Sequence, residues 1–207
     1  MCVLTRPLAD EGEKIFHFLK EKRIDYVQFI PCLEDLDAKG KNSYPLTPRG
    51  FASFYHKIFQ LWLDELRTGR YISIKLFDDL INLLVRQQVT ACGILGNCQV
   101  QYVIEADGSV YPCDFYVLDE YRIGYIQENT LRELFEQDVS RKFICERPVT
   151  PKKCQSCPFQ QMCGGGCKRM KDVVYIDEDG YCGYQELLQE FIPKIEEILI
   201  LLREVNM

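Results

Sequence analysis

The sequence has no long apolar run. Its longest, Ile198 to Leu202, falls far short of the roughly 20 residues that span a bilayer. Nor do the first residues read as an export leader: Met1-Cys2-Val3-Leu4 is followed at once by Thr5, Arg6 and Pro7 and then by acid-rich chain. There is no basic excess. With 25 Lys and Arg against 31 Asp and Glu, the formal net charge is −6, which argues against a nucleic-acid or anionic-membrane surface. Histidine is scarce, and the two present, His17 and His56, sit in helix-like segments that suit a surface or core role. No internal repeat and no low-complexity tract is found. The expectation is a soluble cytoplasmic protein with neither membrane nor nucleic acid as partner.

What is present suffices for a core. The 207 residues are 47% apolar and include 12 Phe and 12 Tyr, which excludes intrinsic disorder and fits one large domain or two small ones. Residues 3–90 alternate between helical and strand patterns, as α/β units of a parallel sheet or barrel do. Asp10–Lys22 reads as an amphipathic helix, and Tyr26–Ile30 as an interior parallel strand stopping at Pro31. A polar, turn-prone stretch runs from Glu34 to Tyr44. Thr47 and Pro48 supply an N-cap and first-turn proline for a helix whose buried face carries Phe51, Phe54, Tyr55, Ile58, Phe59, Trp62 and Leu63. A short strand Tyr71–Lys75 and a helix from about Asp78 to Gln88 complete this part.

From Ala91 the pattern changes. Gln99–Ile104 and Ser109–Tyr111 flank Ala106-Asp107-Gly108 as a β-hairpin would, and Gly124–Ile126 reads as a further strand. Thr130 and Asp138 are candidate caps for helices 131–136 and 139–145. Residues 152–183 read as loop. The tail from Tyr184 to Val205 places Leu187, Leu188, Phe191, Ile195, Ile198, Leu199 and Leu202 on one face, with Pro193 set to split it.

The 11 cysteines are the outlier. In a reducing compartment, dense and closely spaced cysteines point to metal. Eight have metal-like placement: Cys92, Cys98, Cys113, Cys154, Cys157, Cys163, Cys167 and Cys182, with the run C-x2-C-P-x4-C-x3-C from Cys154 to Cys167. Two centres compete. A four-thiolate zinc site is the commoner use of a C-x2-C pair. Iron–sulfur is favoured by eight thiolates forming two sets of four, by the remoteness of both histidines, and by the wide spacings around Gly164-Gly165-Gly166. Those glycines allow positive φ and bring amides close to a bulky cage.

Cys98-x9-Gly108-x4-Cys113, then Cys154-x2-Cys157-x5-Cys163-x3-Cys167, then Cys182 resembles the SPASM motif found in C-terminal extensions of radical S-adenosylmethionine (SAM) enzymes. Cys92, the stretch Val110-Tyr111-Pro112-Cys113-Asp114-Phe115 and the upstream Gln28-Phe29-Ile30-Pro31-Cys32-Leu33 look most like anaerobic sulfatase-maturating enzymes. That resemblance implies oxidation of a sulfatase Cys or Ser to Cα-formylglycine, a sulfatase polypeptide as substrate, and reduced flavodoxin or ferredoxin as electron partner. It also implies two auxiliary 4Fe–4S clusters, the first on Cys92, Cys98, Cys113 and Cys167 and the second on Cys154, Cys157, Cys163 and Cys182. Asp114 matches the family's general base, a buried carboxylate taking the substrate's proton; the plainer reading is an Asp that terminates a strand.

By the same resemblance the fold is α/β (α+β). Residues 1–90 are expected to be the C-terminal part of a partial (β/α) radical SAM barrel, 91–183 the SPASM domain, and 184–207 a C-terminal amphipathic helix. The family's C-x3-C-x2-C, which leaves one iron free for SAM, is not found, and Cys2, Cys32 and Cys145 are isolated. The expectation is therefore the C-terminal half of such an enzyme, from a truncated gene or a fragment, unable to generate the radical alone; SAM belongs to the full-length enzyme. A SPASM maturase acting on another peptide and a zinc-stabilised interaction module are the rival readings. Cys2 and Cys145 are expected to be ordinary thiols, Cys32 a small buried residue at a strand end, Asp177–Gly180 a turn, and Lys152, Lys153, Lys168 and Arg169 solvated charge or partial compensation for anionic clusters.

Overall fold

The computed structural model describes residues 1–34, 36, 42–89, 91–146 and 151–205, and the side chain of Asp172 is not described. The turn-prone stretch 34–44 thus falls largely outside the described residues. The chain is of mixed helix and strand and divides into two compact units. Unit 1 comprises Met1–Thr90, Cys157–Phe159 and Met170–Met207, and unit 2 comprises Ala91–Ser156 and Gln160–Arg169. Among the described residues no helix is long and apolar enough to cross a membrane.

Unit 1 begins with a strand the periodicity did not reveal, β1 (Cys2–Leu4). Helices α1 (Arg6–Ala9) and α2 (Gly12–Glu21) follow, then β2 (Tyr26–Val27) and β3 (Phe29–Pro31). β2 and β3 are separated by Gln28 alone, and β3 runs through Pro31 rather than stopping before it. Pro31 pairs with Leu4 in parallel register, and the next ladder bond comes from the Cys32 N–H to the Leu4 carbonyl at 2.9 Å. β2 pairs in parallel with β4 (Ser73–Ile74). Parallel pairing of strands joined through helices is what the alternation of patterns required.

The long helix α3 (Pro48–Arg67) starts as the sequence dictates: the Thr47 hydroxyl accepts the Gly50 N–H at 3.1 Å, and Pro48 occupies the first turn. Its buried face is wide, running from Phe51 through Trp62 to Leu66, because it packs against α2 on one side and against α9 (Gly183–Phe191) on another. Phe191 is fully buried, with ring centroids 5.1 Å from Phe59 and 5.5 Å from Phe77. The Trp62 indole N–H is satisfied by the Ile72 carbonyl at 2.7 Å. Buried Glu65 is paired with Lys20 and, at 3.7 Å, with Arg70, as a carboxylate removed from water must be.

α4 begins earlier than expected, at Lys75, runs to Ile81 and continues as a π turn, Asn82–Arg86, closed by Gln87 at φ 54°. Asp78 is not its cap; its carboxylate reaches back to the Tyr71 and Ser73 hydroxyls. The tail does split at Pro193: α9 is followed by a 3-10 turn, Ile192–Lys194, and by α10 (Ile195–Val205).

Unit 2 is built on an antiparallel sheet of β5 (Val103–Ile104), β6 (Ser109–Tyr111) and β7 (Gly124–Tyr125). Gly108 takes φ 84° in the hairpin turn, and the Asp107 carboxylate accepts from the Ser109 N–H and hydroxyl at 2.9 and 2.6 Å. Val110, Ile123 and Leu134 form a small core beneath it. Helix α5 (Leu131–Glu136) opens with a full capping box between Thr130 and Glu133. α6 (Asp138–Cys145) follows with Gln137 rather than Asp138 at its cap. Residues read as loop contain two single-turn helices, α7 (Lys152–Gln155) and α8 (Gln160–Cys163), before a π turn Lys171–Tyr175 in unit 1.

Replacing Phe191 by Ala should cost about 3–5 kcal/mol of stability, because it removes the ring on which Phe59 and Phe77 both rest. Urea unfolding with an unchanged m-value would show it; a loss below about 1 kcal/mol would mean that α9 does not belong to this core.

Candidate metal centre

None of the eleven cysteines is in a disulfide. Four of the eight predicted ligands, Cys92, Cys98, Cys113 and Cys167, lie in unit 2. Cys92 stands in the turn at residues 92–96, Cys98 lies just after it, Cys113 follows β6, and Cys167 follows the glycine triplet. Cys167 comes against the chain beside Cys92 although 75 residues separate the two. A Cβ built on Gly93 would lie 3.1 Å from the Cys167 Cβ, so the backbone beside Cys92 rests directly on Cys167.

The glycines explain this approach. Gly96, Gly164, Gly165 and Gly166 all have positive φ. A Cβ on Gly96 would stand 2.8 Å from the Gly166 carbonyl oxygen and 2.9 Å from that of Gly164, and one on Gly164 would stand 2.2 Å from the Leu95 carbonyl oxygen. Two loops therefore touch backbone to backbone where a side chain on either would force them apart. The sequence suggested room for amides around a cage; the structure adds this loop-to-loop contact, in which Gly96 is a partner the motif did not single out. The Gly165 N–H lies 3.4 Å from the Cys163 sulfur.

Burial pushes the Cys113 thiol up to about 12, with the Asp114 hydrogen bond and the charges of Asp114 and Cys167 adding to the rise against a backbone N–H from Phe115. Burial also raises Cys92, reinforced by Cys167. Cys98 rises for the same reason, opposed by Lys168 and reinforced by Cys167, Cys92 and Glu146. The three thiols thus all sense Cys167. They ionise reluctantly on their own, so a bound cation is what would make them thiolates.

The other four predicted ligands are divided between the units: Cys154 and Cys163 belong to unit 2, Cys157 and Cys182 to unit 1. Cys154 is buried on α7. The Cys182 sulfur caps α9, accepting the Gln185 N–H at 3.4 Å. Among the described residues no three His, Cys, Asp or Glu side chains gather as a single metal ion would need.

Asp114 departs from the expectation of a buried carboxylate. It is exposed, because it opens the 3-10 turn Asp114–Tyr116 as the chain leaves β6. The Cys113 thiol donates to its Oδ1 at 3.4 Å. Of the remaining thiols, Cys145 is exposed and Cys2 half-buried, and Cys32 is half-buried rather than buried because its strand ends there. His17 and His56 are exposed and pair with Glu13 and Glu190. Asp177–Gly180 is a turn, closed by the Gly180 N–H on the Asp177 carbonyl at 3.0 Å. Two features went unread in the sequence: the aromatic group of Tyr116, Tyr121 and Phe143 in unit 2, and an open cavity of ≈ 830 Å³ in unit 1 lined by Tyr71, Asp78, Asn82, Arg86 and Arg203 together with apolar side chains.

Residues 92–158 match the SPASM family, an iron–sulfur cluster-binding domain. That segment holds Cys92, Cys98, Cys113, Cys154 and Cys157; the other three lie beyond it. A cysteine-type anaerobic sulfatase-maturating enzyme of Clostridium perfringens (strain 13 / Type A) is 38% identical over 200 residues, covering 94% of this chain and 54% of that protein. A protein of the same description from Clostridium novyi (strain NT) is 43% identical over 173 residues, covering 83% and 46%. The solved structure of native anSMEcpe with bound AdoMet and Cp18Cys peptide superposes with a TM-score of 0.85 at 36% identity, over 95% of this chain and 56% of that one. The chain spans about half the length of the curated relatives it matches.

Gly164→Ala and Gly180→Ala separate the two roles of these glycines. Both positions have positive φ, but nothing lies within 4 Å of a Cβ on Gly180. Gly180→Ala should cost about 1–2 kcal/mol and leave iron uptake intact. Gly164→Ala should cost about 3 kcal/mol or more and impair iron uptake. Equal losses in chemical denaturation would show that loop contact is not what the triplet provides.

Proposed function

We propose that this chain, a relative of the anaerobic sulfatase-maturating enzymes with a SPASM-type iron–sulfur segment, holds two 4Fe–4S clusters and serves as the auxiliary-cluster part of an enzyme that oxidises a sulfatase Cys or Ser to Cα-formylglycine. The observation that carries this reading is the seating of Cys167 against the backbone beside Cys92, with Cys98 and Cys113 also within electrostatic reach of Cys167, at the spacing of that motif. Their donor set fits the group. Cys92, Cys98, Cys113 and Cys167 are half-buried thiols, and the first three all stand within electrostatic reach of Cys167. For the second cluster, on Cys154, Cys157, Cys163 and Cys182, support comes from spacing and resemblance. When bound, such clusters supply one-electron acceptors for the electrons that a substrate oxidation releases.

The chain's own residues have three tasks in this reading. The glycine loops hold the thiols together before metal arrives. Asp114, exposed and bonded to the ligand Cys113, offers a carboxylate to a substrate thiol or hydroxyl and takes its proton. Exposure suits that role better than burial, since a polypeptide substrate must reach the group. The parallel strands of unit 1 stand for late strands of a partial radical SAM barrel, and a reduced flavodoxin or ferredoxin is the electron partner expected of the complete enzyme.

Anaerobic reconstitution of the full chain should yield about eight iron and eight sulfide per chain, and Cys113→Ala or Cys157→Ala should each retain about half. Full iron content in both variants, or a colourless product with stoichiometric zinc, would overturn the assignment. In a full-length enzyme carrying this segment, Asp114→Asn should lower formylglycine yield by about 10²-fold or more while reductive cleavage of SAM continues. Unchanged yield would return Asp114 to the role of ending a strand.

A further inference from the structure

Lys168 follows Cys167 directly, yet it is not a solvated surface lysine. Its side chain is 10% exposed and pairs with the Glu146 carboxylate at 2.5 Å. Its ammonium lies 4.8 Å from the centroid of the Phe143 ring and 5.5 Å from that of Tyr116. Tyr116 and Phe143 are themselves buried and in edge contact at 5.4 Å. Aromatic faces exclude water from one side of the cation, so its field reaches further than a surface charge would. Glu146 is 46% exposed, and water screens its charge more than it screens that of Lys168. The remainder of the field falls on the proposed ligand Cys167, to which Lys168 is joined directly in the chain.

We propose that Lys168 is a positioning residue that raises the reduction potential of the cluster held by Cys92, Cys98, Cys113 and Cys167, by fixing a positive charge next to Cys167 within the box of Tyr116 and Phe143. The inference rests on the cluster reading given above. Reduction adds one electron to the cage, and its negative charge rises by one. A fixed neighbouring cation stabilises the reduced form more than the oxidised one, net charge and solvent exposure being levers on such potentials. In the proposed reaction the electron comes from the substrate carbon undergoing oxidation; in the test it comes from dithionite.

The test is a redox titration of the anaerobically reconstituted full chain, followed by electron paramagnetic resonance, with iron content measured alongside. The signal of this cluster is the one that Cys113→Ala loses. Lys168→Met keeps the apolar stem and removes the charge. At fixed potential its reduced-to-oxidised ratio should fall about tenfold, which is about 59 mV for one electron. Lys168→Arg should restore most of that shift, and Glu146→Gln, which removes the opposing charge, should move the potential upward. A fully loaded Lys168→Met with the wild-type potential overturns the inference, as does equal loss of iron in Lys168→Met and Lys168→Arg. Should Lys168→Met load no cluster, Glu146→Gln decides, and an unmoved or lowered potential is then fatal. A wild-type chain that takes up no iron and sulfide removes the cluster reading and this inference together, whereas loaded wild type with unmoved variants removes this inference alone.

Discussion

The candidate centre depends on a contact between two stretches of backbone. Gly96 on one loop and Gly164 and Gly166 on the other approach so closely that no side chain fits between them. This contact brings Cys167 against Gly93 and so into the company of Cys92, Cys98 and Cys113. Partial burial, reinforced by neighbouring negative groups, makes Cys92, Cys98 and Cys113 harder to ionise. Geometry and electrostatics thus act in the same direction: the sulfurs are gathered, and without a metal they lack the charge that would make them thiolates. Metal binding to such a set releases protons and contributes directly to folding.

Unit 1 provides a different kind of support. Its core is dominated by aromatic rings on α3, α4 and α9, with Trp62 and Phe77 5.2 Å apart and Phe191 packed among them. Rings in edge and tilted contact fix one arrangement more firmly than aliphatic side chains of similar bulk. The buried charge at Glu65 is tolerated because Lys20 and Arg70 reach it from neighbouring segments.

Much of this was legible in the sequence, for local reasons. Thr47-Pro48 and Thr130 with Glu133 announce helix starts because a hydroxyl or carboxylate satisfies orphan N–H groups within one turn. Pro193 announces a break because it lacks a donor. The hairpin at 106–108 follows from turn residues alone. β1 was missed because three residues carry no periodicity, and its partner β3 is distant in sequence. The exposure of Asp114 could not be read from its place beside a ligand; the 3-10 turn that lifts it outward depends on how the chain leaves β6. The glycine triplet was noticed, but its contact with Gly96 is made across some seventy residues, beyond the range of any spacing rule. Lys168 read as one of several flanking charges, and Tyr116 and Phe143, which single it out, come near it only in the folded unit.

The sulfur of Cys182 is also the acceptor that closes the first turn of α9. A reagent that alkylates this atom would replace its hydrogen with a bulkier group, and crowding at the sulfur would push away the Gln185 N–H and leave that turn prone to fraying. Since α9 carries Phe191 into the aromatic core, damage at one thiol would spread as loosened ring packing well away from the sulfur. Thiol chemistry and helix integrity are joined there at a single atom.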